Sequence, residues 1–206
     1  TELVYNAKLI MTLDGGVEHF TQYAEDEMKL IGQLQQQDGG FYRINQTSTR
    51  DVDGNKLTAN YNEGIAYNYK SISGYTSDPD RNQLLFMKQM GYAICGDVMN
   101  VVNTSVLGAD SILGVKYVLS SYDIPGLKKL ENIEPGNGKS VYYNPYALPV
   151  AFTYESSNML PDSEEKDEFL YQNQLFSYLS GQNVQVNKRI EAEPKADSNT
   201  VGYDVK

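Results

Sequence analysis

The chain has 206 residues, 40% hydrophobic and 21% charged, which is the composition of a globular protein and not of a disordered one. A net charge of −10 and a pI of about 4.6 argue against nucleic acid and anionic lipid headgroups as partners, because both demand a basic surface. A single cysteine, Cys95, and a single histidine, His19, exclude an intrachain disulfide and a multi-histidine metal site, and any Ser-His-Asp triad would have to use His19.

Thr21 to Gln37 reads as a helix. Thr21 serves as N-cap, Glu25, Asp26 and Glu27 lie early where the helix dipole favours acids, and Leu30, Ile31 and Leu34 make an apolar stripe that Gly39-Gly40 ends. Phe41–Ile44 follows as a short strand. Thr49 to Tyr61 is polar, with Asp53-Gly54 as a hairpin turn. Asn62 to Ser77 has neither a period of 2 nor of 3.6. It is rich in tyrosine, glycine and serine and reads as an ordered loop. Asp78 and Pro79 open a helix over 79–90, which Gly91 ends in the left-handed position. A shorter helix over Thr104–Leu113 is closed by Gly114. Val115–Leu119 is a buried strand, Pro125-Gly126 and Pro135-Gly136-Asn137-Gly138 are turns, and Ser140–Tyr143 and Val150–Tyr154 are further strands.

The composition turns acidic at Glu155. Asp162 with Glu165 has the form of a capping box for a helix running to Ser180, ended by Gly181, and Val184–Ile190 alternates as a strand would. These elements predict an α+β fold, a mixed β-sheet with helices packed on it. They divide the chain into a core over 1–155 and a C-terminal helix plus strand over 156–206. No stretch reaches the ~18–20 apolar residues a membrane-spanning helix needs. The chain starts at Thr1 without an initiator Met, which suggests a segment of a longer protein.

Two catalytic or metal motifs fail on spacing, and a third is absent. Gly138-Lys139-Ser140 ends like a phosphate-binding loop, but Ile133 occupies the required glycine position. Asp51-Val52-Asp53-Gly54-Asn55 begins like a calcium loop, but its glycine comes too early and no terminal bidentate glutamate follows. No G-x-S-x-G nucleophile elbow is present. No metal and no cofactor is therefore expected. Cys95 has no cationic neighbour in sequence to activate it.

Several segments together resemble the YfhO family of bacterial membrane proteins. They are Phe41-Tyr42-Arg43-Ile44; Asn62-Glu63-Gly64 through Gly74-Tyr75-Thr76-Ser77; Leu113-Gly114-Val115-Lys116-Tyr117-Val118-Leu119-Ser120; Asn144-Pro145-Tyr146-Ala147-Leu148-Pro149; and Tyr171-Gln172-Asn173-Gln174-Leu175-Phe176. The resemblance implies a polytopic, lipid-carrier-dependent glycosyltransferase that moves a sugar from a polyprenyl phosphate to an envelope acceptor such as lipoteichoic acid. It also implies that this chain is the domain on the extracellular face. Its partners would be the protein's own transmembrane region and an envelope glycan or polyprenyl-linked sugar. The family's acid/base residue belongs to loops near the first membrane helices, so no residue here is assigned to catalysis. Binding candidates are Tyr42, Arg43, Asn62, Tyr67 and Tyr75, because aromatic faces stack on sugar rings while Asn and Arg bond their hydroxyls. The alternatives are a purely structural or interaction domain, with these tyrosines buried, and an independent glycoside hydrolase, with two carboxylates about 5–9.5 Å apart in a cleft.

Overall fold

A computed structural model describes residues 17–48, 51–52, 57–58, 62–92, 104–155, 159–162, 167–188, 192–194 and 203–205. The chain separates into two compact units, Thr1–Lys88 with Tyr92–Phe152, and Gln89–Gly91 with Thr153–Lys206.

In the first unit the helix α1 spans Val17–Gln37 and begins four residues earlier than the sequence suggests. Nothing in Val17-Glu18-His19-Phe20 breaks a helix, so Thr21 lies inside it and does not cap it. Its buried stripe is Glu27, Leu30, Ile31 and Leu34, at the spacing of one helical face. Glu27 is therefore a core residue of the third turn and not a first-turn acid.

Four strands form the main sheet: β1 (Arg43–Gln46), β4 (Val115–Ser120), β5 (Lys128–Lys129) and β6 (Ser140–Tyr143), in the order β1-β4-β6-β5. β1 and β4 are parallel and the other pairs antiparallel, so the sheet is mixed and the fold α+β. Strand side chains alternate between faces. One face carries Ile44, Tyr117, Leu119 and Val141 against Leu30, Ile31 and Leu34 of α1. The other carries Val118 and Tyr142, grouped with Val115 and packed by Ile72, Ile124 and Leu127. Arg43 pairs with Val115 and Ile44 with Tyr117, which leaves Lys116 as a bulged residue beside Tyr117.

β1 lies two residues later than Phe41–Ile44, because the buried polar residues Asn45 and Gln46 continue the ladder with their side chains hydrogen-bonded. The strands β2 (Asp51–Val52) and β3 (Leu57–Thr58) pair as a hairpin, and the Asp53-Gly54 turn lies outside the described residues. The tyrosine segment contains a single helical turn, α2 (Glu63–Ala66), and Ser71 bridges Ile44. Helix α3 (Arg81–Gln89) is capped by Asp80, which accepts from the N–H groups of Asn82 and Gln83, in place of Asp78. Helix α4 is Leu107–Ile112. Val150–Tyr154 forms no strand, since Ala151–Glu155 is exposed and without a ladder partner among the described residues. Cys95 also lies outside those residues.

In the second unit, helix α5 (Glu168–Ser180) is capped by Asp167, whose carboxylate accepts from the N–H groups of Phe169 and Leu170. Glu165, the other half of the expected box, is outside the described residues. Gly181 ends the helix at φ +67, as expected. Residues 184–188 form no strand. Ser177 binds both main-chain groups of Val184, and Asn173 binds those of Asn187, so side chains of α5 supply the partners a ladder would have supplied. Ala192–Pro194 (β7) and Tyr203–Val205 (β8) pair antiparallel.

Candidate functional site

Two of the motifs that carry the family resemblance, Leu113–Ser120 and Asn144–Pro149, form one joint. Gly114 adopts φ +69, and a Cβ there would meet Val150 Cγ2 at 3.1 Å and Leu148 O at 3.2 Å. Only glycine accepts both the left-handed backbone and that approach. Asn144 Nδ2 donates to Val115 O (3.0 Å) and Ser111 Oγ (3.1 Å), and the Leu148 N–H donates to Ser111 O (2.9 Å). The Asn-Pro-Tyr-Ala-Leu-Pro segment is thus the brace that holds the start of β4.

The binding candidates fall into different surroundings. Tyr42 is buried, stacked edge-on against Tyr117, and its hydroxyl donates to Asp38 O. The Arg43 guanidinium donates to Leu113 O at 2.5 Å, a bond within the fold. Asn62 Oδ1 accepts from Tyr75 N (3.1 Å) and closes the tyrosine loop on itself. Tyr67 is half-buried against the core, tilted toward Tyr23. Tyr75 is exposed. Asn62 and Tyr75 are brought together, while Tyr42 and Tyr67 are committed to packing.

A buried polar network anchors this loop. Glu27, Gln46, Glu63 and Lys139 are all buried, Glu27 completely. Lys139 Nζ lies 2.8 Å from Glu27 Oε2, 2.6 Å from Gln46 Oε1 and 3.1 Å from the Tyr23 hydroxyl, which uses all three ammonium protons. Gln46 Nε2 donates to Glu63 Oε2 and to the Tyr69 hydroxyl, and the Tyr23 hydroxyl donates to Glu63 Oε1 (2.8 Å). Asn137 Nδ2 completes the ring on Glu27 Oε2, and Glu27 Oε1 is left buried with no hydrogen-bond partner among the described residues. Burial pushes the Glu63 carboxyl above its usual range, with Lys139 opposing and Glu27 adding to the shift. Burial, then Glu27 and Glu63, push the Tyr23 phenol up. The Gly138-Lys139-Ser140 sequence is thereby explained: its lysine is an internal counter-ion at the end of a two-residue turn in which Asn137 and Gly138 have φ +53 and +70.

A third buried carboxylate, Asp110, stands apart from this network and accepts from the Tyr92 hydroxyl (2.6 Å), Ser105 Oγ (2.6 Å) and Asn45 Nδ2 (3.2 Å). Burial raises its pKa to about 6 against these stabilising bonds. A further, partly exposed carboxylate, Asp38, lies at the end of α1. Asp38 pairs with Lys116 and accepts from the Tyr117 hydroxyl, and the Lys116 contact holds its carboxyl below the usual range.

Sequence reasoning passed over Glu27, Gln46, Glu63, Asp110 and Lys139 as functional groups. The signal was present for Glu27, which stands at the helical spacing of Leu30, Ile31 and Leu34. Among the described residues no set of three or more His, Cys, Asp or Glu could hold a metal ion, and no helix is long and apolar enough to cross a membrane.

No curated protein sequence and no solved structure matches the chain. The family model described as "Bacterial membrane protein YfhO" matches residues 15–204, a span that contains the Gly114–Asn144 joint and the tyrosine loop with its buried anchor and covers most of both compact units. The chain belongs to the YfhO family of bacterial membrane proteins.

Proposed function

We propose that this chain is the extracellular domain of a polytopic, lipid-carrier-dependent envelope glycosyltransferase, and that it serves substrate recognition or scaffolding while catalysis resides elsewhere in the protein. The observation that carries the reading is the family match over residues 15–204. The reaction would transfer a sugar from a polyprenyl phosphate to an acceptor such as lipoteichoic acid. The three buried carboxylates support a non-catalytic role here. Among the described residues Glu27, Glu63 and Asp110 are buried and bonded to groups of their own fold, which favours a structural use of them over that of an independent glycoside hydrolase.

NMR titration with glycerol-phosphate oligomers and simple sugars tests the recognition role. The expected result is shifts clustered on Asn62–Ser77 and Arg43. No shift at millimolar ligand would favour the second reading, a purely structural or interaction domain. That reading draws its support from the burial of Tyr42 and the packing of Tyr67 against the core.

A further inference from the structure

The start of the tyrosine loop is held down by a charged side chain. Helix α2 (Glu63–Ala66) is a single turn, and Asn62 gives it no side-chain cap. One turn fixes several backbone residues for few hydrogen bonds, so it does not persist on its own account. Between Asn62 and Lys70 only Glu63 and Tyr69 are buried, and both converge on Gln46 Nε2 of β1. Ile65, inside the same turn, is 83% exposed against 7% for Glu63. The turn therefore depends on a buried carboxyl where an apolar residue would ordinarily serve.

The cluster beneath it is short of positive charge. Lys139 lies 2.8 Å from Glu27 Oε2, but it reaches Glu63 through intermediaries, the Tyr23 hydroxyl on one oxygen and the Gln46 amide on the other. The titratable groups around Glu63 are Tyr23 and Glu27 from α1, Lys139 next to β6, and Tyr69 of its own segment with Tyr67 beside it, while β1 contributes the neutral Gln46. With both carboxyls ionised the cluster carries an excess negative charge, which burial penalises. Burial, with Glu27 adding to it, raises the Glu63 carboxyl further than Lys139 and the two donors lower it. A segment lifted off the sheet puts Glu63 in water, where it ionises as an ordinary glutamate. The closed segment thus binds the proton more tightly than the open one. That contribution is fully present below the ordinary glutamate value and is lost as pH rises through the closed-state value.

We propose that Glu63 is a pH-dependent latch: its carboxyl, seated between Tyr23 and Gln46, holds the Asn62–Tyr69 segment down in acid and frees it to open locally as pH rises above the ordinary glutamate range, while the sheet stays folded. The inference goes beyond the recognition reading and does not depend on it.

The test is amide hydrogen exchange followed by NMR on the 206-residue chain from about pH 4 to 7, corrected for intrinsic exchange. The amides of Ile65, Ala66, Tyr67 and Tyr69, each bonded within the segment, should lose protection severalfold as pH rises. Low urea should not change that loss, because local opening exposes little surface. Glu63→Gln, neutral at every pH, should hold the four amides at a level protection, and Asp110→Asn should leave their loss as it is. The Glu63 carboxyl carbon should titrate above the ordinary glutamate range, in step with the amides. A level profile in the unaltered chain, a loss that persists in Glu63→Gln, a loss that grows with urea as global unfolding does, or a Glu63 carboxyl titrating in the ordinary range each overturns the latch. If Glu63→Gln fails to fold, the carboxyl titration and the urea response of the unaltered chain decide.

Discussion

Two lysine–carboxylate pairs sit along helix α1 in opposite surroundings. Lys139 and Glu27 have side chains 2% and 0% exposed and lie inside a ring of tyrosine, glutamine and asparagine. Lys116 and Asp38, at the end of the same helix, are 36% and 17% exposed. The chemistry is the same, and burial decides what each pair is for. The inner pair repays a large desolvation cost only because nearly every lone pair and proton is matched, so it defines how the tyrosine loop, β1 and β6 meet α1. The outer pair keeps a foot in water, so both groups are partly solvated and the pair is worth less to the fold.

Removing one member of the inner pair breaks the comparison most directly. Lys139→Met leaves Glu27 and Glu63 as neighbouring buried carboxyls with no cation, and should cost about 3–5 kcal/mol in urea unfolding. The double variant Lys139→Met with Glu27→Leu removes the stranded charge and should recover most of that loss. A single variant that loses less than about 1 kcal/mol would mean that the network is wet and that the distinction between inner and outer pairs is false.

The pH dependence sharpens the same contrast. Asp110 has a folded-state pKa of about 6, above the unfolded value of 3.8, so the folded protein binds its proton more tightly. Its contribution is fully present below pH 3.8 and is lost as pH rises to about 6, by at most about 3 kcal/mol. Glu63, also raised, acts in the same sense. Asp38, held down by Lys116, acts in the opposite sense, with stability present above its unfolded value and lost as pH falls through its folded one. Urea midpoints measured from pH 3 to 7 should therefore lose part of their decline between about pH 4 and 6 in Asp110→Asn, and nearly all of it when Glu63→Gln is added. An unchanged profile in the double variant would place both carboxyls in contact with water.

The fold was legible where pattern and punctuation agreed. Leu30, Ile31 and Leu34 marked α1, the apolar Val115–Leu119 run marked β4, and Gly91, Gly114 and Gly181 stand in left-handed positions at chain reversals. The strand expected at Val150–Tyr154 failed because an apolar alternation says nothing about a partner, and its exposed residues have none among those described. Asn45 and Gln46 were missed as strand residues because buried polar side chains look like loop until their partners are known. Those partners lie 17 to 93 residues away, as Glu63 and Lys139 do for Gln46. The candidate site was half legible for the same reason. Tyr42 and Tyr67 have the residue type that binds sugars, but only packing shows that Tyr42 is turned inward while its neighbour Phe41 faces water.

A third pair sets the lower bound of the comparison. Lys29 Nζ and Glu134 Oε2 are 2.6 Å apart, as close as the bonds of the inner network, with side chains 65% and 72% exposed. If distance alone set the worth of an ion pair, Lys29→Ala would rank with Lys139→Met. Water solvates both partners well when they separate, and holding two long side chains together costs rotamer entropy that cancels the attraction. The segment carrying Glu134 is also held to α1 by other contacts: Asn132 on Gln37, the Glu134 N–H on Gln33, and Gly136, where a Cβ would lie 2.9 Å from Asp26 O. Lys29→Ala should therefore leave the urea midpoint and the amide spectrum unchanged, at low and at high salt alike. A loss approaching that of Lys139→Met would show that proximity, and not burial, separates the pairs along α1.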